Sequence, residues 1–260
     1  MNQENQSKAD VQAQFGKNAA NYVTSTIHAQ GKDLEKLKAI IDWTGEECVL
    51  DIATGGGHVA NTLAPLVKKV TAVDLTTEIL AVSRTFLEKN GHTNVEFMEA
   101  DAEQLSFPDE SFDSAVCRIA AHHFSNVAAF VQEAYRVLKR SGTFILIDNT
   151  APEAEKMDFF YNQIEKRRDY SHQRALKKSE WVQMIEEQGF ELEELYRFPK
   201  QFYFEKWCKT MDLPDNEKHA LSKEMLQAPE DIKRKFCITE EEGKVASFQA
   251  EASLIKAIKR

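Results

Sequence analysis

Cysteine is scarce and scattered in this chain. The four residues Cys48, Cys117, Cys208 and Cys237 form no C-x-x-C pair, so nothing suggests a disulfide framework or a redox motif. Cys48 and Cys117 fall in apolar runs and read as small core side chains of a reduced, cytoplasmic protein. No apolar stretch approaches the roughly 20 residues of a membrane span. The opening MNQENQSKADVQ is polar and lacks the apolar core of a signal peptide, so no export is expected. Positive charge is also short: the net charge is -9, whereas a nucleic-acid backbone calls for a basic face. The richest basic run, KRRDY at 166–170 with Arg174, Lys177 and Lys178 nearby, is brief and interrupted, and reads as a helix surface before a steering patch. The G-K-[ST] of a P-loop and the G-x-S-x-G of a hydrolase elbow are missing, and nothing repeats internally. With 260 residues, 42% of them hydrophobic and 29% charged, the chain can bury the core of one domain with an elaboration.

The chain is organised around 48-CVLDIATGGGHVANTLA-64. Cys48 to Ile52 has the apolar character of a buried strand with one acid in it. Thr54 to His58 carries little side-chain bulk, and helix-compatible residues follow from Val59. Strand, tight glycine turn and helix in that order open a nucleotide-binding α/β unit. Glycine supplies backbone angles closed to other residues and lets a ligand approach the main chain. The helix start adds unpaired N–H groups. Gly55, Gly57 and Ala60 satisfy G-x-G-x-x-[GA], so a dinucleotide site stays open at this level.

Taken in order, residues 1–12 read as disordered, and Phe15 to Ala29 as one or two short helices, either an arm packed on the core or a flap. Asp33 to Trp43 is a helix with Asp33 as its cap. Strands are expected at Val70 to Val73, Val95 to Met98, Phe112 to Arg118 and Thr143 to Asp148, with helices at Thr77 to Asn90 and Val127 to Lys139. Such alternation means a parallel sheet covered on both faces, with its strand ends along one edge. The second half breaks the rhythm: helices at Met157 to His172 and Ser179 to Gln188, a strand at Phe190 to Phe198, a helical region over 204–236 broken near Pro214 and Pro229, and Ser253 to Lys259 as a final edge strand. The predicted fold is a Rossmann-like, mostly parallel seven-stranded sheet with an N-terminal helical segment and a helical insertion before the last strand. The expected divisions are a cover over 1–32, the α/β core over 33–203, the insertion over 204–236 as a possible lid, and a strand region over 237–260 that completes the core.

Four strand ends carry chemistry. Asp74 closes the second strand, where a carboxylate can accept from both hydroxyls of a ribose. Asp101 lies just past the third, where it can accept from an adenine amino group while the Ala102 N–H donates to a ring nitrogen. With the glycine turn, these outline an adenosine. Asp51 sits inside the first strand and needs partners if buried, which loop N–H groups could provide. At the end of the fourth strand, RIAAHHFSN (118–126) gathers Arg118, His122, His123 and Asn126. Two adjacent histidines without H-x-x-H or cysteine spacing point to no metal, and either could instead serve as a base or hydrogen-bond donor.

These features occur together in a known family. CVLDIATGGGHVA, Asp74, EADAEQLSFPDESFD (99–113), VCRIAAHHF and EAYRVLKRSGTFILID resemble the class I S-adenosylmethionine-dependent methyltransferases, in the branch of the quinone-biosynthesis C-methyltransferases and related small-molecule enzymes. FGKNAANYVTS and WVQMIEEQGFELEEL look similar to the same branch. The resemblance implies that Asp51, Ala53, Gly55 and Gly57 surround the methionine part of S-adenosyl-L-methionine. It implies that Asp74 and Leu75 hold the ribose and pack the adenine, and that Asp101 and Ala102 take the adenine edge. The backbone near Arg118 and Ile119 would meet the amino group, and Phe15 and Tyr22 would close over the site. The departure is Ala53, which stands where relatives commonly carry the first glycine. The expected reaction is methyl transfer to a small molecule such as a quinone precursor, phenol or other aromatic, with His122 or His123 as base. A nicotinamide oxidoreductase ranks second and a non-catalytic nucleotide-binding regulator third.

Overall fold

The computed structural model describes the backbone of residues 3–24 and 31–260 and the side chains of residues 6–16 and 31–260. Two helices, α1 (Gln3–Thr24) and α2 (Lys32–Ala39), precede β1 (Cys48–Ile52). Then come α3 (His58–Leu63), β2 (Lys69–Asp74), α4 (Thr77–Lys89), β3 (Val95–Glu99), β4 (Phe112–Arg118), α5 (Val127–Val137) and β5 (Leu138–Asn149). The second half holds α6 (Glu155–Arg168), α7 (Lys178–Glu187), β6 (Phe190–Tyr203), α8 (Phe204–Lys209), α9 (Asp215–Leu226), α10 (Glu230–Lys235), β7 (Thr239–Glu241) and β8 (Lys244–Lys259).

The strands lie in the order β3-β2-β1-β4-β5-β8-β6, with the short β7 paired to β8. β1 runs parallel to both neighbours, with Asp51 opposite Ala72 of β2 and Val116 of β4. β8 is antiparallel to β5 and to β6. The first five strands therefore end on one edge, and the loops that follow them are brought side by side. β1, β2 and β4 are buried along almost their whole length, as covered parallel strands must be. Alternate residues face opposite layers: Leu50, Ile52, Cys117, Phe144 and Leu146 pack with Phe130, Val131 and Trp181, while Val49, Ala72, Val116 and Ile145 pack with Leu34, Leu37, Leu63 and Leu87. A third apolar cluster joins Tyr161, Ile164, Phe204, Trp207, Leu221, Met225, Phe236 and Phe248. It gives the 204–236 helices an anchored core.

Four expectations change. Residues 3–24 form one continuous helix rather than a disordered start followed by short helices; Gln, Glu, Lys and Ala favour helix even without an apolar stripe. Gly31, not Asp33, precedes α2 as its cap, and the Asp33 carboxylate instead binds Arg118 at 2.6 Å. β6 is longer than 190–198 and reaches Tyr203. The last strand is an interior one, starts at Lys244, and lies between β5 and β6. Its buried Ala252, Leu254, Ile255 and Ala257 fill both layers there. Pro214 and Pro229 do mark breaks, each standing just before a helix.

Candidate active site

The glycine turn begins with strain. Ala53 has φ 55° and Gly55 φ 53°, so the chain leaves β1 through left-handed conformations that cost an alanine about 1–2 kcal/mol. Asp51 holds the turn from beneath: its Oδ2 accepts from Thr54 Oγ1 at 2.6 Å and from the Ala60 N–H at 3.1 Å. It is almost fully buried, and burial pushes its carboxyl up to about 7 despite those bonds. Asp74 bridges the next strand end to the turn. Its Oδ2 accepts from the Gly55 N–H at 3.0 Å and its Oδ1 from the Thr76 N–H at 3.0 Å, which leaves each oxygen a lone pair. Burial raises its carboxyl too.

Asp51, Ala53, Gly55, Asp74, Leu75, Asp101, Ala102, Arg118 and Ile119 all line one cleft along the strand-end edge. The cleft opens to solvent, with about 1010 Å³ of empty space when its open mouth is included. Gly57 does not line it; Gly56 does. A Cβ on Gly57 would lie 2.7 Å from Leu87 Cδ1 and 3.3 Å from Ser83 Cβ, so this glycine lets α3 pack on α4. Arg118 borders the cleft while its guanidinium is tied to Asp33. Ile119 has φ 53°, an outlier for a β-branched side chain, and its N–H donates to Ile147 O at 2.7 Å. Helix α1 roofs the cleft with Lys8, Val11 and Phe15. Lys8 Nζ reaches Asp101 Oδ2 and Glu103 Oε2, each at 2.7 Å, and Gln12 donates to Leu75 O at 2.9 Å. The side chain of Tyr22 lies outside the described residues.

The two histidines are built differently. A short 3-10 turn over Ala121–His123 follows β4. His122 Nδ1 is 2.6 Å from Asp148 Oδ1, and its backbone N–H donates to Asp148 Oδ2 at 2.9 Å. Burial opposes charge on this ring, but the Asp148 carboxylate outweighs it and holds His122 above its ordinary value. His123 is pushed down to about 3 by burial and by its charged neighbour His122. It contacts Ser171 Oγ at 3.2 Å and Phe15 edge to face at 4.9 Å. His172 completes the group, with its ring 5.5 Å from that of His122; burial and the two other imidazoles hold it neutral. Of the three rings, His122 is the one whose surroundings favour the protonated form. Among the described residues no group of three or more His, Cys, Asp or Glu side chains could hold a metal.

A second cavity adjoins the cleft and shares Phe15, Ile119 and His123 with it. His122, Asn149, Glu165, Arg168, Lys200, Phe202 and Trp207 also face this cavity.

Comparison with known proteins decides what uses this arrangement. The methyltransferase domain family matches residues 50–146. An uncharacterized methyltransferase of Bacillus subtilis, YcgJ, is 36% identical over 95% of this chain and 98% of its own length. Its crystal structure superimposes with a TM-score of 0.86, covering 89% of this chain and 99% of that one. The chain belongs to the S-adenosylmethionine-dependent methyltransferase family. A candidate methyltransferase of Bacillus halodurans is 55% identical, with a TM-score of 0.87 over 88% of this chain and 99% of that one. The quinone C-methyltransferase UbiE of a Marinomonas species is 33% identical over 45% of this chain and 48% of its own.

The cleft of this methyltransferase suits its cofactor chemically. Asp51, Asp74, Asp101 and Glu103 face it against two cations, Lys8 and Arg118, and both cations are already paired. That excess of carboxylate favours a ligand with a sulfonium and an ammonium over one with a diphosphate. Gly55 supplies an open cradle, with nothing within 4 Å of where a Cβ would stand.

Several residues escaped the sequence. Asp148 was findable, because it lies one residue from the end of β5, much as Asp74 ends β2. Lys200 stands between Phe198 and Phe202 on one face of β6, a charge in an apolar alternation. Lys8 and His172 carried no signal, since each reaches the site only through tertiary packing.

Proposed function

We propose that this enzyme methylates a small molecule bound in the second cavity, and that His122 removes the acceptor's proton. The observation that supports this is the shared wall of Phe15, Ile119 and His123 between the two cavities. When bound, S-adenosylmethionine supplies a methyl group already activated on a positive sulfonium. The chain has then to hold, orient and dry the two reactants. Asp74 and the Gly55 cradle would hold the ribose side, Asp101 and Ala102 the adenine edge, and Asp51 would face the positive end. Phe15 and α1 would exclude water from above.

His122 is preferred over His123 as the base. Its Nδ1 donates to Asp148, which leaves Nε2 for the acceptor, and the carboxylate stabilises the imidazolium that proton removal creates. Asp148 is then a positioning residue. His123 separates the two spaces as a neutral wall. A phenol, enol or activated ring carbon fits such a base, and the partial likeness to UbiE makes a quinone precursor one member of that class. The four widely spaced cysteines support a reduced, cytoplasmic setting.

Incubation with methyl-labelled S-adenosylmethionine and a panel of phenols, quinone precursors and amines tests this directly. Label is expected on an acidic O–H or C–H acceptor, with His122→Gln lowering turnover about 10- to 1,000-fold. The wild-type rate should rise with pH through a group above 6.5, the ordinary histidine value, because the base acts when neutral. Asp148→Asn should move that inflection downward. Label on amines alone, with full turnover in His122→Gln, would overturn the assignment.

A further inference from the structure

The second cavity has a charge of its own. The chain carries a net charge of -9, yet Arg168, Lys200 and Lys206 line this space against a single carboxylate, Glu165. Arg168 is matched, since its Nη2 meets Glu165 Oε2 at 2.9 Å and its guanidinium lies 4.9 Å from the Trp207 ring centre. His122 is tied to Asp148. The two lysines are left over. Lys200 Nζ donates to Asn149 Oδ1 at 3.0 Å, an amide that satisfies a hydrogen bond and no charge. Lys206 makes no ion pair among the described residues. The indole N–H of Trp207 is buried without a hydrogen-bond partner among the described residues, and Trp207 lines the same space beside Phe202, whose ring centre is 6.3 Å away.

Lys200 is half-buried, and the carboxylates that act on it, Asp33, Asp148 and Glu165, are already bonded to Arg118, His122 and Arg168 respectively, so none of them is left to pair with it directly. Burial pushes Lys200 down to about 8, so it still carries its proton at neutral pH. Lys200 lines the cavity, where a ligand would meet it. An anion there would supply the charge that Lys200 and Lys206 lack, and a flat body beside it would lie along Phe202 and the exposed edge of Trp207.

We infer that the methyl acceptor carries an oxyanionic group, a carboxylate or phosphate, which faces Lys200 and Lys206 while its flat body lies against Phe202 and Trp207. This rests on the methyl-transfer function proposed above and adds the class of acceptor. The anionic end anchors the molecule at the β6 side of the cavity, and the reacting end is left for the wall shared with the cofactor cleft.

The test uses the full chain saturated with S-adenosylhomocysteine, titrated calorimetrically with benzoate, phenyl phosphate and the neutral isostere benzamide. At least one anion is expected to bind about tenfold or more tightly than benzamide, the scale of a charge-assisted hydrogen bond. Whichever anion binds more tightly distinguishes carboxylate from phosphate. Lys200→Gln should abolish the preference with S-adenosylhomocysteine affinity unchanged. Lys206→Gln, on the exposed side of α8, should reduce it and serves as the second variant if Lys200→Gln does not fold. Equal binding of benzamide, failure of both anions to bind, or an undiminished preference in the variants would overturn the inference. Loss of S-adenosylhomocysteine binding by the wild-type chain would instead count against the methyl-transfer site itself.

Discussion

A carboxylate enclosed as Asp51 is makes the stability of the cofactor-free protein depend on pH. Its folded value is about 7 against an ordinary 3.8, so between those limits the folded state holds a proton that the unfolded chain has released. The contribution is fully present below the unfolded value and is lost as pH rises through the folded one. Thermal melts from pH 5 to 8 should show the wild type losing ground to Asp51→Asn as pH rises; parallel curves would show that Asp51 is not protonated in the folded state. The neighbouring glycines separate two other roles. Gly55→Val has free space but an unfavourable backbone and a place in the cleft, so it should remain folded and lose S-adenosylhomocysteine binding. Gly57→Val drives its side chain into Leu87 and Ser83, and should cost about 1–3 kcal/mol of stability through overpacking and so lower the melting temperature more. Melting curves and calorimetry on both variants check this, and the reverse order would mean the roles are exchanged.

Among the elements, the helix over the cleft is held differently from the helices of the insertion. α1 lies along α4 and rests the Phe15 ring on His123, but most of its named attachments are polar: Lys8 to Asp101 and Glu103, Gln12 to Leu75 O, and Gln14 to Met211 Sδ at 3.3 Å. Half-exposed ion pairs of this kind contribute about 0–1 kcal/mol each. α9 and α10 instead bury Leu221, Met225 and Ile232 in the third cluster. Deuterium exchange should therefore be fast in residues 6–16 and slow in 215–235, cofactor should slow the first, and Lys8→Ala should speed it. Equal protection of the two segments would contradict this account of the cover. The same contrast explains what was legible in the sequence. The turn after β1, the βα alternation and Asp74 could be read because glycine requirement, apolar period and strand end are local properties. The unbroken α1 could not, because its contacts lie on other elements and leave no stripe. Nor could the interior place of β8: an apolar alternation marks a strand as buried without saying which strands flank it. The Asp33–Arg118 and His122–Asp148 pairs join residues far apart in sequence, so only the fold reveals them.

At the scale of the molecule, the sheet order brings the ends of β1 to β5 together. The acids of β1, β2 and β3 thereby fall on one side, and the histidines and Asp148 after β4 and β5 on the other. Acid-lined and lysine-lined spaces then meet at Phe15, Ile119 and His123. Both cavities belong to the same strand-end edge, where open α/β sheets place their ligands, and the long second half of the chain serves to wall the second one. The central claim is that methyl transfer takes place at this meeting point. Its most direct test is a crystal structure of the full chain with S-adenosylhomocysteine. The account predicts the adenine at Asp101 and Ala102, the ribose hydroxyls on Asp74, and the sulfur beside Phe15, Ile119 and His123. A nucleoside bound outside this cleft, or a sulfur turned away from the second cavity, would contradict it.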